Sequence, residues 1–282
     1  MRLQTKRYVA DDGVNIVADV AGDPAAPCVV LLHGGGQTRH SWQGLMGALL
    51  ARGYRVVNFD ARGHGESDWA GVGGYGLARH AHDLACVLEE ETAPAALVGA
   101  SLGGATALRA MAEGARPGAV ILVDIVPRPD PRGVQRIRDF MLGYPDGFAS
   151  IDEAVDAIAA YNPHRPRPVD RDGLMRNLRY RDDGRLRWHW DPAFLSREIP
   201  VELVELHETV EGARCAGDVP CMLIRGLSSD VVGDAGLAEL REVLPTIEVF
   251  DVPGAGHMVA GDRNDVFIEG VTGFLSRHFP SG

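Results

Sequence analysis

The stretch Ala95-Ala96-Leu97-Val98-Gly99-Ala100-Ser101-Leu102-Gly103 decides how this chain is read. Its first four residues form an apolar run of strand character, and residues 102–113 carry a helical pattern. Between them stands Gly-x-Ser-x-Gly, in the strand-then-helix context that the motif requires. A strand that turns sharply into a helix leaves its apex residue in a strained backbone conformation. Glycines on either side permit the close approach, because a Cβ there would collide with neighbouring backbone. Ser101 is thereby pushed out of the turn with its hydroxyl exposed above the sheet. The helix beginning at Leu102 adds partial positive charge beside it. An ordinary glycine-rich turn is the alternative, and the flanking elements favour a nucleophile.

Outward from this turn, strands and helices alternate. Two short strands flank an Asp12-Gly13 turn. Cys28–Leu32 is a continuous apolar run, as in a strand buried on both faces, and it ends in His33-Gly34-Gly35-Gly36. A helical pattern from Trp42 to Arg52 stops at Gly53. A strand at Tyr54–Phe59, a helix at Arg79–Glu90 and a strand at Gly118–Asp124 complete the first part. Late in the chain come a strand at Pro220–Arg225, a helix at Gly233–Val243, a strand at Ile247–Val252 and a helix at Asp262–Phe279. This alternation predicts an α/β fold with a mostly parallel central sheet flanked by helices. Between residues 127 and 217 the rhythm breaks, and Pro, Arg and Asp become frequent. One helix is expected over Ile151–Ala160, where Ser150 and Glu153 fit a capping box, and a second over Arg171–Arg179. Residues 186–190 fit either a helix or a strand. The chain thus divides into a core of residues 1–126 and 218–282 and an insertion of residues 127–217.

A serine hydroxyl is a weak nucleophile at neutral pH and needs an adjacent base. His257 lies in Gly254-Ala255-Gly256-His257-Met258, after the last strand, where open α/β sheets carry functional loops. A carboxylate must then hold the imidazole tautomer. Asp230 follows the strand at 220–225, gives the chain order Ser, Asp, His, and is the preferred acid. Asp124, at the end of an earlier strand, is its main rival, and Asp234 a weaker one. The backbone N–H groups of Gly35 and Leu102 are the expected oxyanion donors.

The 282-residue chain is 45% hydrophobic, enough for one substantial core, and its formal net charge of -11 argues against binding nucleic acid. The stretch from Arg165 to Arg187 interleaves arginines with aspartates and reads as a solvated surface. Cys28, Cys86, Cys215 and Cys221 show no short C-x-x-C spacing, and free thiols fit a reducing cytoplasm. The N-terminus has no apolar signal segment, and no run is long enough to span a bilayer. A cytoplasmic protein without membrane attachment is expected. Gly71-Val72-Gly73-Gly74-Tyr75-Gly76 lacks the strand and the Lys-Ser/Thr ending of a phosphate loop. His80 and His82, two apart on a helix, do not face each other. Neither metal nor cofactor is expected.

Together with Asp60-Ala61-Arg62-Gly63-His64-Gly65-Glu66-Ser67, these segments resemble the α/β-hydrolase superfamily, in its esterase and epoxide-hydrolase-like branch. The resemblance covers nearly the whole chain outside the insertion. In such proteins the D-x-R-G-x-G-x-S turn is mainly architectural, so it assigns no catalytic role to Asp60 or His64. It implies that residues 127–217 form a mainly helical cap over the active site. Gly34, Trp188 and Trp190 then become expected substrate contacts, with packing of cap on core an equal alternative for Trp188, His189 and Trp190. Epoxide hydrolases and haloalkane dehalogenases carry Asp where this chain has Ser101, which counts against both activities. The expected reaction is cofactor-free cleavage of a small-molecule ester, thioester or lactone through an acyl-enzyme. The alternatives are a carbon–carbon bond hydrolase or cofactor-free oxygenase on the same scaffold, and a non-catalytic small-ligand receptor.

Overall fold

The structure, a computed structural model, describes residues 3–91, 93–163, 165–216 and 218–281, with all side chains there except those of Pro200, Val201 and Cys215. Gly217, the expected end of the insertion, lies outside the described residues. The strands are β1 (Gln4–Val9), β2 (Asn15–Ala21), β3 (Cys28–Leu32), β4 (Arg55–Phe59), β5 (Ala95–Ala100), β6 (Ala119–Val123), β7 (Leu178–Tyr180), β8 (Leu186–Trp188), β9 (Cys221–Gly226) and β10 (Glu248–Val252). The helices are α1 (Gln43–Leu50), α2 (Leu77–Glu89), α3 (Leu102–Ala112), α4 (Pro131–Leu142), α5 (Ile151–Tyr161), α6 (Arg171–Met175), α7 (Ile199–Ala213), α8 (Asp234–Val243), α9 (Val259–Asp262) and α10 (Asn264–His278).

Eight strands form one sheet in the order β1-β2-β4-β3-β5-β6-β9-β10. The β1–β2 and β2–β4 pairs are antiparallel, and every later pair is parallel. The apolar runs lack alternation because both faces of the sheet are covered. Val30, Leu32, Leu97, Leu122 and Leu223 pack with Leu84 of α2, Leu108 of α3, Val210 of α7 and Leu240 of α8. Their strand neighbours Val29, Leu31, Val98, Ile121 and Ile224 pack with Leu45 and Leu49 of α1 and Phe267 and Phe274 of α10. Cys28 and Cys221 are buried free thiols in these layers, and burial pushes both up to about 12. No helix among the described residues is long and apolar enough to cross a membrane.

The chain moves from β3 to β4 on one side and then returns to place β5 on the other. This reversal opens a crevice at the carboxyl ends of β3 and β5, the place where open α/β sheets bind ligands. The long segment between β6 and β9 lies in the same region. It has its own small core, in which Phe148, Val155, Leu174, Leu178, Leu186 and Trp188 are buried. Helix α5 starts where its capping residues predict: Ser150 Oγ accepts from Glu153 N–H at 3.3 Å, and the Glu153 carboxylate accepts from Ala149 N–H at 2.6 Å. The helix expected over 171–179 instead ends at Met175. Its remainder is β7, paired with β8 across the Asp183-Gly184 turn.

Besides the single turn α9, two helices of the insertion are absent from the sequence expectations. Helix α4 begins at Asp130, whose side chain accepts from Arg132 N–H, with Pro131 in its first turn. Helix α7 sends Leu206, Val210 and Ala213 into the main core beside α3. By packing, α7 therefore belongs with the sheet, and the separate cluster of the insertion ends near Leu195.

The Asp60–Ser67 turn is held by buried charge. Arg62, fully buried, donates two hydrogen bonds to Asp83 at 2.6 and 2.7 Å, and others to Asp12 and to the Gly74 carbonyl. Asp60, also fully buried, accepts from the N–H groups of Arg39 and Glu66 and pairs with the Arg39 guanidinium. Removing one partner of such a pair strands the other charge away from water. Arg62→Leu is expected to destabilise the fold by about 3–5 kcal/mol in urea unfolding, whereas Arg132→Leu, at an exposed pair with Asp130, leaves the midpoint unchanged.

Candidate active site

Ser101 stands at the apex between β5 and α3 with φ 45° and ψ −110°. Positive φ in a residue with a side chain is uncommon and costs free energy. Among the described residues it occurs at Ser101, Asp124 and Tyr144, and the first two stand at the mouth of the same crevice. The turn is tight because α3 starts against β3: a Cβ on Gly103 would lie 2.2 Å from the Leu32 carbonyl oxygen. One on Gly99 would lie 2.4 Å from the Gly103 carbonyl. No side chain fits at either place, which is why the motif has glycine there.

His257 follows β10 in the loop anticipated for it. The carboxylate that meets its imidazole is that of Asp124, not the expected Asp230. Asp124 ends β6, is fully buried, and its Oδ2 lies 2.8 Å from His257 Nδ1. The same carboxylate accepts from Gly226 N–H at 3.1 Å and from Ser229 Oγ–H at 2.5 Å. Ser229 Oγ in turn accepts from the N–H groups of Val231 and Val232. Asp230 turns the opposite way. It is half-exposed and pairs at 2.5 Å with Arg136 of α4. Asp234, the third choice, is exposed and pairs with Arg225. The loop after β9 does reach the carboxylate that faces His257, but through the Ser229 hydroxyl. Nothing in the sequence reading flagged Ser229.

The loop carrying His257 is gripped on both sides. Gly256 N–H donates to Asp262 Oδ2 at 2.8 Å, and the Met258 carbonyl accepts from Arg165 of the insertion at 3.0 Å. Arg165 also pairs with Asp262.

Ser101 and His257 line one cavity of about 300 Å³, together with Gly34, Gly35 and Leu102. The N–H groups of Gly35 and Leu102 have no hydrogen-bond partner among the described residues. Leu102 N–H is one of the free donors of the first turn of α3. The cavity wall is mainly apolar, with Ile125, Ile137, Phe140, Trp190, Phe194 and Leu206 prominent. Of the residues expected to touch substrate, Gly34 and Trp190 are in this wall and Trp188 is not. Trp188 lies behind Trp190, stacked on it with ring centroids 5.0 Å apart and edge-on to Phe148, so it packs the core of the insertion. His189 is 1% exposed and faces away from the cavity, toward the glycine loop.

His33, His64, His80 and His189 are all buried, and burial lowers the pKa of each, to about 3 for His64 and His80. His82, by contrast, is half-exposed on the outer side of α2. The unfolded chain takes up protons at about pH 6.5 that the folded one refuses. The stability these neutral imidazoles contribute is therefore whole above about pH 6.5 and is lost as pH falls below it, by up to about 1.4 kcal/mol per histidine per pH unit. The urea midpoint is expected to drop steeply between pH 7 and 5.5, and His80→Phe to flatten that slope.

A sequence profile of the alpha/beta hydrolase family matches residues 29–269. The chain is 34% identical over 261 residues to Esterase Rv0045c of Mycobacterium tuberculosis, an alignment covering 89% of this chain and 83% of that protein. The crystal structure of that esterase superposes with a TM-score of 0.75 at 30% identity, over 98% of this chain and 92% of that one. E-2-(acetamidomethylene)succinate hydrolase superposes with a TM-score of 0.84, over 98% of this chain and 100% of that one, and at 24% identity this shows the shared fold alone. With its sheet order and its strained Ser101 turn, this chain belongs to the alpha/beta hydrolase family.

Proposed function

We propose that this chain is a cofactor-free serine hydrolase that cleaves small carboxylic esters, with Ser101 as nucleophile, His257 as base and Asp124 as the acid behind it. The reading rests on one observation: the buried Asp124–His257 hydrogen bond, at the same crevice as a serine held at positive φ. The esterase activity named for the mycobacterial relative supports the choice of bond. A ligand receptor would gain nothing from a strained serine turn or from a buried carboxylate behind a histidine.

Asp124 accepts from Nδ1–H, so His257 Nε2 is left as the base. Nε2 takes the Ser101 proton as Oγ attacks the ester carbonyl. The N–H groups of Gly35 and Leu102 hold the oxyanion, and the imidazolium returns its proton to the leaving alcohol. A water activated by the same nitrogen then releases the acid. Asp124 stabilises the imidazolium and fixes its tautomer, while Gly226 N–H and Ser229 Oγ–H keep the carboxylate in place. Residues 131–195 act as a cap, and Phe140, Trp190 and Phe194 form the wall against the acyl group.

At about 300 Å³ the cavity lies at the small end of the range for small-molecule pockets. Its apolar wall favours small unbranched or aromatic acyl groups. With p-nitrophenyl esters, kcat/KM is expected to rise about fourfold per methylene, from about 0.8 kcal/mol each, between acetate and hexanoate, and to collapse by dodecanoate. Ser101→Ala lowers kcat by roughly 10^4-fold or more. A rate in Ser101→Ala equal to wild type would end the proposal. Asp124→Asn leaves the histidine with the wrong tautomer and costs about 10^4-fold in kcat. Asp230→Asn stays within about twofold of wild type, since it removes only a surface pair. The reverse ranking of these two variants would return the acid role to Asp230.

A further inference from the structure

Three imidazoles hold three consecutive peptide groups of the glycine loop. His33 Nε2 accepts from Ala61 N–H at 2.9 Å, so its proton is on Nδ1, which donates to the Gly34 carbonyl at 2.8 Å. His64 Nε2 accepts from Gly36 N–H at 3.0 Å, and its Nδ1–H donates to the Arg62 carbonyl at 3.0 Å. His189 Nδ1 accepts from Gly65 N–H at 2.7 Å, and its Nε2–H donates to the Gly36 carbonyl at 3.3 Å. Each ring has one donor and one acceptor, an arrangement only the neutral imidazole can make. The rings also touch: the His64 centroid is 5.2 Å from that of His33 and 5.8 Å from that of His189.

The consequence falls on Gly35. In a trans peptide the C=O and the next N–H point in opposite directions. With the Gly34 carbonyl turned onto His33, the Gly35 N–H points away from it. On the far side, Gly36 is pinned at both its N–H and its C=O, at φ 74°. His33 and His64 belong to the sheet-bearing part of the chain. His189 belongs to the insertion, and among the described residues it alone of that segment hydrogen-bonds to Gly34, Gly35 or Gly36. Its own position is fixed by the docking of Asp191, which accepts from Tyr75 Oη–H at 2.6 Å and from Gly71 N–H, and whose N–H donates to the Gly63 carbonyl.

We propose that His189 is a positioning residue through which the inserted segment sets the oxyanion donor of the core, so that the segment shapes the transition state as well as covering the substrate. The inference rests on the serine-hydrolase reading above and on Gly35 N–H as one of the two donors. His189 touches neither substrate nor reacting atoms. It acts at one remove, by holding the Gly36 carbonyl two peptide groups beyond the Gly35 N–H, so that the loop bearing that donor is fixed at its far end as well as by His33 and His64.

Two variants separate this role from plain packing. His189→Phe keeps the ring between His64 and Trp190 and removes both hydrogen bonds. His189→Asn retains an acceptor for Gly65 N–H and lacks the reach to the Gly36 carbonyl. In both, kcat for p-nitrophenyl butyrate is expected to fall about tenfold or more, toward the range seen when an oxyanion donor is lost, with KM within twofold of wild type. The inhibition constant of an alkyl trifluoromethyl ketone, whose adduct with Ser101 places an oxyanion between the donors, should rise by the same factor as kcat/KM falls. His189→Gln, which carries an N–H near the place of Nε2, should recover most of both. If His189→Phe does not fold, the Asn variant decides alone. Wild-type kcat and wild-type ketone affinity in the folded variants overturn the proposal, as does a loss of kcat/KM without weakened ketone binding. A wild-type protein inert to both ester and ketone would refute the serine-hydrolase reading itself. A reactive wild type with equally reactive variants refutes only the role of His189.

Discussion

The start of α3 lies against the end of β3 with no space for a side chain, and the rest of the site follows from that contact. Gly103 meets the Leu32 carbonyl, and Gly99 meets Gly103 itself. The chain between them must therefore turn within one residue, and that residue takes φ 45°. The same closeness sets Ser101 beside the loop that leaves β3, so the serine and the N–H groups of the glycine loop follow adjacent strands. Strain at one position is tolerated because both parallel neighbours of β5 hold it in register. It is a local cost carried by a buried sheet.

The parts of the site that depend on local chain geometry were legible in the sequence. Gly-x-Ser-x-Gly between a strand and a helix puts Ser101 at the apex of a strained turn, and a glycine loop after the last strand brings His257 to the same cavity. The carboxylate facing His257 was less legible for a physical reason. β6 and β9 are hydrogen-bonded neighbours, so their carboxyl ends are about 4.8 Å apart. A carboxylate leaving either strand could face the same imidazole. What separates Asp124 from Asp230 is the backbone: Asp124 takes a positive φ that turns it inward, while its competitor points to an arginine on α4. No single-sequence pattern reports either fact, although the hydroxyl of Ser229 beside Asp230 was in plain view.

The insertion was the hardest part to read, and two of its helices show different reasons. Leu203, Leu206, Val210 and Ala213 repeat at helical spacing and mark α7, so the signal was present. It was obscured by the density of charge around it and by the expectation that everything between β6 and β9 was one unit. For α4, the Asp130-Pro131 start is a good helix signal, but its apolar stripe of Val134, Ile137 and Met141 is narrow and divided between the cavity, the insertion's own small core and, through Ile137, the edge of the main core. The tryptophans illustrate a further limit. Trp188 and Trp190 look equivalent by composition, yet only the position of Phe148 decides which is covered and which forms the wall.

Up to about Leu195 the insertion has its own apolar centre, and polar contacts such as Arg165 with Asp262 and His189 with Gly36 tie it to the sheet-bearing part. Such modularity bears on how the family diversifies. A segment that folds around its own aromatics can change its inner surface, and hence the molecule it accepts, while the sheet is left intact. Its freedom has a boundary drawn by two side chains. Arg165 holds the Met258 carbonyl next to His257, and His189 holds a carbonyl of the glycine loop. A different segment grafted between β6 and β9 would leave those two carbonyls without their present partners unless it brought equivalent donors with it.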